Sequence, residues 1–327
     1  MIEEISSNIY RVEIPLPNNP LKFINSYLIR APKRNLIIDT GMNREECMNA
    51  MTEGLRKLGV ELTEVDFFIT HFHVDHLGLV SSLLTDHSVI YFNRPEAERL
   101  QEIGFGTVWT EMVDFTRSNG FPENDLQEIL RYHPARQYYG LREDFPFRFL
   151  EDEDALTVGN YEFRCVKTPG HSKSHLCLYE AKKRILVAGD HILSGITPNI
   201  SMRSSDENPL KDYMASLDKV DALDIDLVLP GHGNVFKNCR ERIRELKDHH
   251  EKRTDEVVSI LKKGDQNAYQ VASQMTWDIP LDSWDRFPVL QRWFATGETI
   301  AHLKYLEESG RVKKEMRERE IIYSLND

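Results

Sequence analysis

Short apolar runs bounded by turn residues fill the first two thirds of the chain. Ile9-Tyr10-Arg11-Val12-Glu13-Ile14 alternates with period two and predicts a strand, which Pro15 to Pro20 breaks. Ile24 to Ile29 predicts another strand, and Leu36-Ile37-Ile38-Asp39-Thr40-Gly41 ends a buried one. Glu45 to Leu58 has helical spacing and stops before Gly59. Val65 to Ile69 and Val89 to Phe92 read as further strands, with a helix beginning between Leu79 and Leu84. Strands return from residue 145 onward. Tyr161 to Val166, Ser174 to Tyr179, Arg184 to His191 and Asp226 to Gly233 are the clear runs. From about residue 237 the pattern switches to a long charged helix, Arg240 to Lys263, with Gly264 as its stop signal. Ala268 to Met275 and Val289 to Glu307 predict two more helices. Ser309 to Lys314 then turns into a short hairpin with Ile321-Ile322-Tyr323 as its return strand.

One stretch departs from this rhythm. Residues 94–140 are rich in charge and in aromatics, among them Phe105, Trp109, Phe115, Tyr132, Tyr138 and Tyr139. They predict two or three helices, broken at Gly104-Phe105-Gly106 and at Asn119-Gly120-Phe121-Pro122. An insertion of this length serves either as a lid or substrate wall or as a packing subdomain, and the sequence favours neither. The expected organisation is therefore a mixed α/β unit over residues 1–236, interrupted by the insertion, and a helical unit with a small wing over residues 237–327.

Composition narrows the class. The chain has 327 residues, 40% apolar and 29% charged, as in globular proteins with room for two domains. A net charge of −12 disfavours a surface that binds nucleic acid or anionic membrane as a whole. Cys47, Cys165, Cys177 and Cys239 are scattered without a C-x-x-C, and Cys165 and Cys177 fall in strand-like runs as buried thiols. That usage fits a reducing cytosol. The acidic start, Met1-Ile2-Glu3-Glu4-Ile5, has no signal-peptide character, and no run reaches the roughly 18 apolar residues of a membrane span. A cytoplasmic protein without a membrane partner is expected.

The chemistry concentrates where strands end. Thr70-His71-Phe72-His73-Val74-Asp75-His76-Leu77-Gly78 follows an apolar strand and packs four metal-binding side chains into six residues. A lone histidine is ordinarily a hydrogen-bonded core or surface residue, but this density is that of a ligand loop. His171, Asp190 and His232 repeat the design, each on a turn that closes an apolar strand. Seven nitrogen and oxygen donors are too many for one tetrahedral zinc and suit two ions sharing a carboxylate. Two ions roughly 3.5–4 Å apart can share a hydroxide and clamp attacking and leaving oxygens. His175 and His191 neighbour candidate ligands, but strand alternation turns them away. His87, His133, His249, His250 and His302 lack a ligand-like setting, and His133 lies in the aromatic insertion.

Taken together, I-I-D-T-G around Asp39, T-H-F-H-V-D-H-L-G, T-P-G-H at 168–171, A-G-D at 188–190 and P-G-H-G at 230–233 resemble the motifs of the metallo-β-lactamase fold superfamily, in the family's order over residues 5–236. The resemblance implies a four-layer αββα sandwich of two mixed sheets with metals at one edge. It implies His71, His73 and His171 on a first ion, Asp75, His76 and His232 on a second, and Asp190 bridging both. Asp39 is implied to orient a ligand histidine rather than to bind metal. The tail, Val289-Leu290-Gln291 through Gly310-Arg311-Val312, resembles the winged-helix domain of the lactamase-β-like protein 2 subfamily. Such a unit often serves packing or dimerisation, so a homodimer is one expectation.

Function follows as an expectation of metal-dependent hydrolysis. Two divalent ions, zinc first and iron or manganese as alternatives, activate a bridging hydroxide, and Asp75 both binds metal and orients or deprotonates it. The leading substrate reading is a small-molecule thioester, ester or lactone. The alternative is an endoribonuclease or phosphodiesterase, for which Arg311, Lys313, Lys314, Arg317 and Arg319 form a basic cluster. Glu315, Glu318 and Glu320 interleave that cluster as on a solvated face, and the stretch between Asp190 and His232 is too short for the extra domain of the larger nucleases. The full histidine set argues against the redox branches of the fold and against a binding module that has lost catalysis. β-Lactam hydrolysis is disfavoured because the drug-inactivating enzymes lack the bridging aspartate, and lactonase activity on homoserine lactones because Leu193 and Ser194 stand where a tyrosine is expected. Substrate walls are expected from residues 94–140 and from Ser194 to Asn199.

Overall fold

Alternation along the strands decides how the layers stack. The computed structural model describes residues 1–105, 107–133, 145–202, 204–279, 281 and 283–326. One sheet holds β1 (Ile2–Ser6), β2 (Ile9–Pro15), β3 (Phe23–Ile29), β4 (Asn35–Ile38), β5 (Val65–Phe68), β6 (Ile90–Phe92) and β7 (Phe147–Phe149) in that spatial order. Its first four strands pair antiparallel and its last four parallel. The second sheet holds β8 (Ala155–Val158), β9 (Tyr161–Lys167), β10 (Leu176–Glu180), β11 (Ile185–Gly189) and β12 (Leu227–Pro230), ordered β12-β11-β10-β9-β8. Only β11 and β12 run parallel there. A hairpin of β13 (Val312–Arg317) and β14 (Glu320–Leu325) stands apart. The described helices are α1 (Glu45–Leu58), α2 (Val74–Leu77), α3 (Val80–Leu83), α4 (Arg94–Phe105), α5 (Thr107–Ser118), α6 (Glu123–Tyr132), α7 (Pro209–Asp221), α8 (Cys239–Leu261), α9 (Ala268–Ala272) and α10 (Val289–Glu308).

In β3, Tyr27 and Ile29 face a cluster shared with Phe163, Leu176, Leu178 and Val187 of the second sheet. Ile24 and Leu28 face the opposite way, against Cys47, Met51 and Leu55 of α1. The second sheet mirrors this. Leu178 and Val187 point between the sheets, while Cys177 and Leu186 point outward to Leu210 and Tyr213 of α7, Ile243 and Leu246 of α8 and Ile300 and Leu303 of α10. Strands apolar on both faces force a helix–sheet–sheet–helix stack, the αββα sandwich.

Most expected elements fall where the pattern puts them, with several differences. The helix expected from Leu79 is the single turn α3, and another single turn, α2, precedes it. α2 carries Asp75 and His76, so the candidate ligand stretch is half loop and half helix. The helix expected over Ala268 to Met275 closes at Ala272. β1, β8 and α7 are not predicted from the sequence. In β1, Glu3 and Glu4 obscure the period, as charges on edge strands do. α7 is readable in the spacing of Leu210, Tyr213, Leu217 and Val220, behind an Asn208 cap and Pro209.

The insertion forms α4 to α6, with the expected break at 119–122. Gly106, Tyr138 and Tyr139 lie outside the described residues. Trp109, Met112, Phe121 and Leu126 pack with Trp293 of α10, so these aromatics serve as core. All four cysteines are buried and free, and burial pushes the thiols of Cys165 and Cys177 up to about 12. Among the described residues no helix is long and apolar enough to cross a membrane.

Candidate metal centre

The β-strands stop just where chemistry begins. β4 ends at Ile38, β5 at Phe68, β11 at Gly189 and β12 at Pro230, so Asp39, Thr70, Asp190 and His232 all sit one or two residues beyond a strand. Parallel neighbours place such ends along one edge. The edge gathers all seven donors expected from the sequence: five histidines and two aspartates fall into groups His71/His73/His171, Asp75/His76/His232 and the linking His71/His76/Asp190.

Their atoms converge. His73 Nδ1 lies 2.9 Å from His71 Nε2 and 2.9 Å from His171 Nε2. Two nitrogens on one tetrahedral ion stand about 3.3 Å apart at usual metal–nitrogen lengths. His232 Nε2 lies 3.4 Å from Asp75 Oδ2. Between the two groups, Asp190 Oδ2 stands 3.5 Å from His76 Nε2, 3.5 Å from His171 Nε2 and 3.6 Å from His232 Nε2.

The far nitrogen of four rings is held by the protein. His171 Nδ1 donates to the Asn199 carbonyl and His232 Nδ1 to the Phe23 carbonyl, each at 2.9 Å. A carbonyl only accepts, so both rings must carry the proton on Nδ1 and present the Nε2 lone pair to the centre. His76 Nδ1 donates to Asp39 Oδ2 at 2.8 Å. Thr70 Oγ1 donates to the same oxygen at 2.9 Å and lies 3.0 Å from His71 Nδ1. Asp39 therefore holds the far nitrogen of His76 and touches none of the converging atoms. It pays with a left-handed backbone, φ 56°.

The electrostatics suit cations. Burial opposes charge on His76, yet Asp190 and Asp39 hold its pKa well above the ordinary value. Burial likewise opposes charge on His232, and Asp190 and Asp75 raise it. Asp190 is buried too, but His232 and His76 hold its carboxyl well below the usual range. His71 goes the other way, far down, through burial and its neighbouring imidazoles. Inside this negative pocket His76 Nε2, His232 Nε2 and Asp190 Oδ1 are buried without a hydrogen-bond partner among the described residues. Donors that are oriented, desolvated and left unsatisfied fit divalent metal.

Several residues that hold the site were not foreseen. Asn25 Nδ2 donates to the carbonyls of Pro230 and Gly233, and Tyr27 Oη to that of Pro230, clamping the turn of His232. The available signal was a polar Asn25-Ser26 pair inside a buried strand. His175 belongs to none of the three donor groups, and its Nε2 accepts the Asp190 backbone N–H at 3.2 Å. His191 packs edge-on to Tyr213, and His133 sits between Trp109 and Trp293. The loop after Asp190 is strapped to the C-terminal helices. Arg242 donates to the carbonyls of Leu193 and Ile196, and Asn199 Nδ2 donates to Glu298 at 3.1 Å.

A layered sandwich with oriented histidines and aspartates at its strand ends defines a metal-dependent hydrolase. This chain belongs to the metallo-beta-lactamase superfamily, whose family model matches residues 19–232. A further model, the metallo-beta-lactamase-like C-terminal domain, matches residues 254–323. The chain is 27% identical over 300 residues to the Bacillus subtilis protein named Probable metallo-hydrolase YqjP, covering 86% of each. It is 25% identical to the Caenorhabditis elegans beta-lactamase-like protein 2 homolog, over 85% of this chain and 80% of that one. It is 24% identical to the atrochrysone carboxyl ACP thioesterase of Aspergillus fumigatus, over 88% of this chain and 79% of that protein. A metallo-beta-lactamase family protein from Thermus thermophilus superposes with a TM-score of 0.81 at 26% identity, covering 99% of this chain and all of that one.

Proposed function

We propose that the protein is a two-metal hydrolase of small acyl compounds, with a thioester, ester or lactone as the scissile group. His71, His73 and His171 would hold the first ion and Asp75, His76 and His232 the second, with Asp190 shared. The observation that carries this reading is the position of Asp190 Oδ2, within 3.6 Å of ring nitrogens from both groups. Bound there, two divalent ions, zinc first and iron or manganese as alternatives, would supply Lewis acidity and bring the pKa of a water near neutrality.

The chain's own residues do the rest. Asp75 is the more open of the two site carboxylates, with a side chain 15% exposed against 9% for Asp190. It would orient a nucleophilic water and accept its proton. His171 and His232, locked by backbone carbonyls, keep their Nε2 atoms fixed through turnover. The A. fumigatus thioesterase among the relatives supports the acyl reading. The basic cluster of the tail gives nucleic acid little to bind. Arg311 pairs with Asp255, Lys314 with Glu307, and Arg317 with Asp265 and Glu315.

The test joins metal analysis to a panel of acyl thioesters, lactones, phosphodiesters and single-stranded RNA. Two ions per chain and turnover of the acyl substrates are expected, and His73→Ala should abolish that turnover. Cleavage of RNA alone would overturn the substrate class, and an active, metal-free His73→Ala protein the mechanism.

A further inference from the structure

The chemistry above makes no use of Glu96, a buried carboxylate lying directly behind the histidines. Glu96 stands in the first turn of α4, the root of the insertion, and is 1% exposed. Its Oε2 accepts the backbone N–H of Phe72 at 3.0 Å. Its Oε1 accepts the backbone N–H of Ser174 at 2.6 Å and the hydroxyl of Ser172 at 2.8 Å. Phe72 is the residue between His71 and His73, and Ser172 follows His171. One side chain thus ties together two loops that leave different sheets, one after β5 and one after β9. These loops carry all three imidazoles of the first group, and the bonds fall beside those imidazoles, whereas Asp75 and His76 of the second group follow on the turn α2. The second group has its own carboxylate in Asp39, bound to His76. An anion withdrawn from water is expensive unless its lone pairs are satisfied, and here two backbone donors and a hydroxyl satisfy them.

Building on the two-ion reading, we propose that Glu96 is a positioning residue for the first ion: it sets the spacing between the His71–His73 loop and His171, and with it the occupancy of that site alone. The insertion then serves the centre through its root.

Glu96→Gln tests this, because the amide keeps the size but must turn its NH2 toward an N–H donor whichever way it lies. The experiment measures zinc stoichiometry and competition with a chromogenic chelator, the visible spectrum after cobalt loading, and thermal melting, with Asp39→Asn as the converse variant. Wild type should hold two ions. Glu96→Gln should bind the first about 10–100-fold more weakly, as losses of such outer partners do, with the second ion and the melting temperature little changed. Asp39→Asn should weaken the second ion more than the first, because Asp39 binds His76 directly and reaches His71 only through Thr70. Wild-type affinity for both ions in Glu96→Gln, or equal loss of both together with a fallen melting temperature, would overturn the proposal. A wild-type chain that holds no ion would instead overturn the metal reading beneath it. Should Glu96→Gln misfold, Ser172→Ala removes one of the three bonds and no charge. A smaller drop confined to the first ion is then expected, and unchanged affinity counts against the role.

Discussion

At the scale of single residues, the centre depends as much on what is missing as on what is present. A Cβ on Gly231 would stand 2.5 Å from Asp190 Oδ1 and 2.9 Å from His76 Cε1. Both atoms belong to side chains of the converging donor set, and Asp39 holds the His76 ring through its Nδ1, so the new methyl displaces one donor or the other. Gly231→Ala should therefore cost about 100-fold in kcat/KM, the effect of roughly an ångström of misplacement, while thermal melting shifts little. Steady-state kinetics beside calorimetry will check this. A variant that loses stability and keeps its activity would show that the site yields easily. The seven donors and Asp39 were legible in the sequence, because ligand types stood at the ends of apolar runs. Glu96 was not, since a glutamate in a first helical turn looks like ordinary dipole complementation.

At the scale of elements, β3 does more than fill the first sheet. Its polar residues reach across to the turn after β12 in the second sheet, where Asn25 serves two carbonyls and Tyr27 shares one of them. Asn25→Ala strands the Gly233 carbonyl and should lower unfolding free energy by about 2 kcal/mol, with weaker binding of the ion proposed for His232. Tyr27→Phe leaves Pro230 still paired to Asn25 and should cost about 1 kcal/mol. Urea unfolding of the two variants side by side will rank them, and the reverse order would refute the clamp. The strands were readable because both faces are apolar and turns punctuate them. Their pairing across sheets was not, since a buried Asn25 does not announce a partner some 200 residues away in sequence. The insertion's aromatics also read ambiguously. Trp109 and Phe121 pack with Trp293 and so belong to the core that joins α5 and α6 to α10.

At the scale of the whole molecule, the strands and the C-terminal helices share one hydrophobic cluster and one polar strap. Glu298 of α10 receives Asn199 and is buried, and burial raises its carboxyl from 4.5 to about 7 despite Arg253 and Asn199. The folded chain therefore holds that proton more tightly than the unfolded one. The contribution is fully present below about pH 4.5 and is gone once pH passes about 7, a span of about 3 kcal/mol at most. Glu298→Gln should flatten the decline in stability over that window, and melting curves from pH 5 to 8 will show it. An unchanged slope would mean that Glu298 is ionised throughout. The strap also has a practical consequence for anyone who shortens the chain for expression. Cutting after Phe236 would leave an oily wall once covered by Ile243, Ile300 and Leu303 and would release Asn199, whose carbonyl steadies the His171 ring. Such a fragment should come out of purification clumped and poor at retaining metal. The portion that carries all seven candidate donors would then be no miniature of the enzyme.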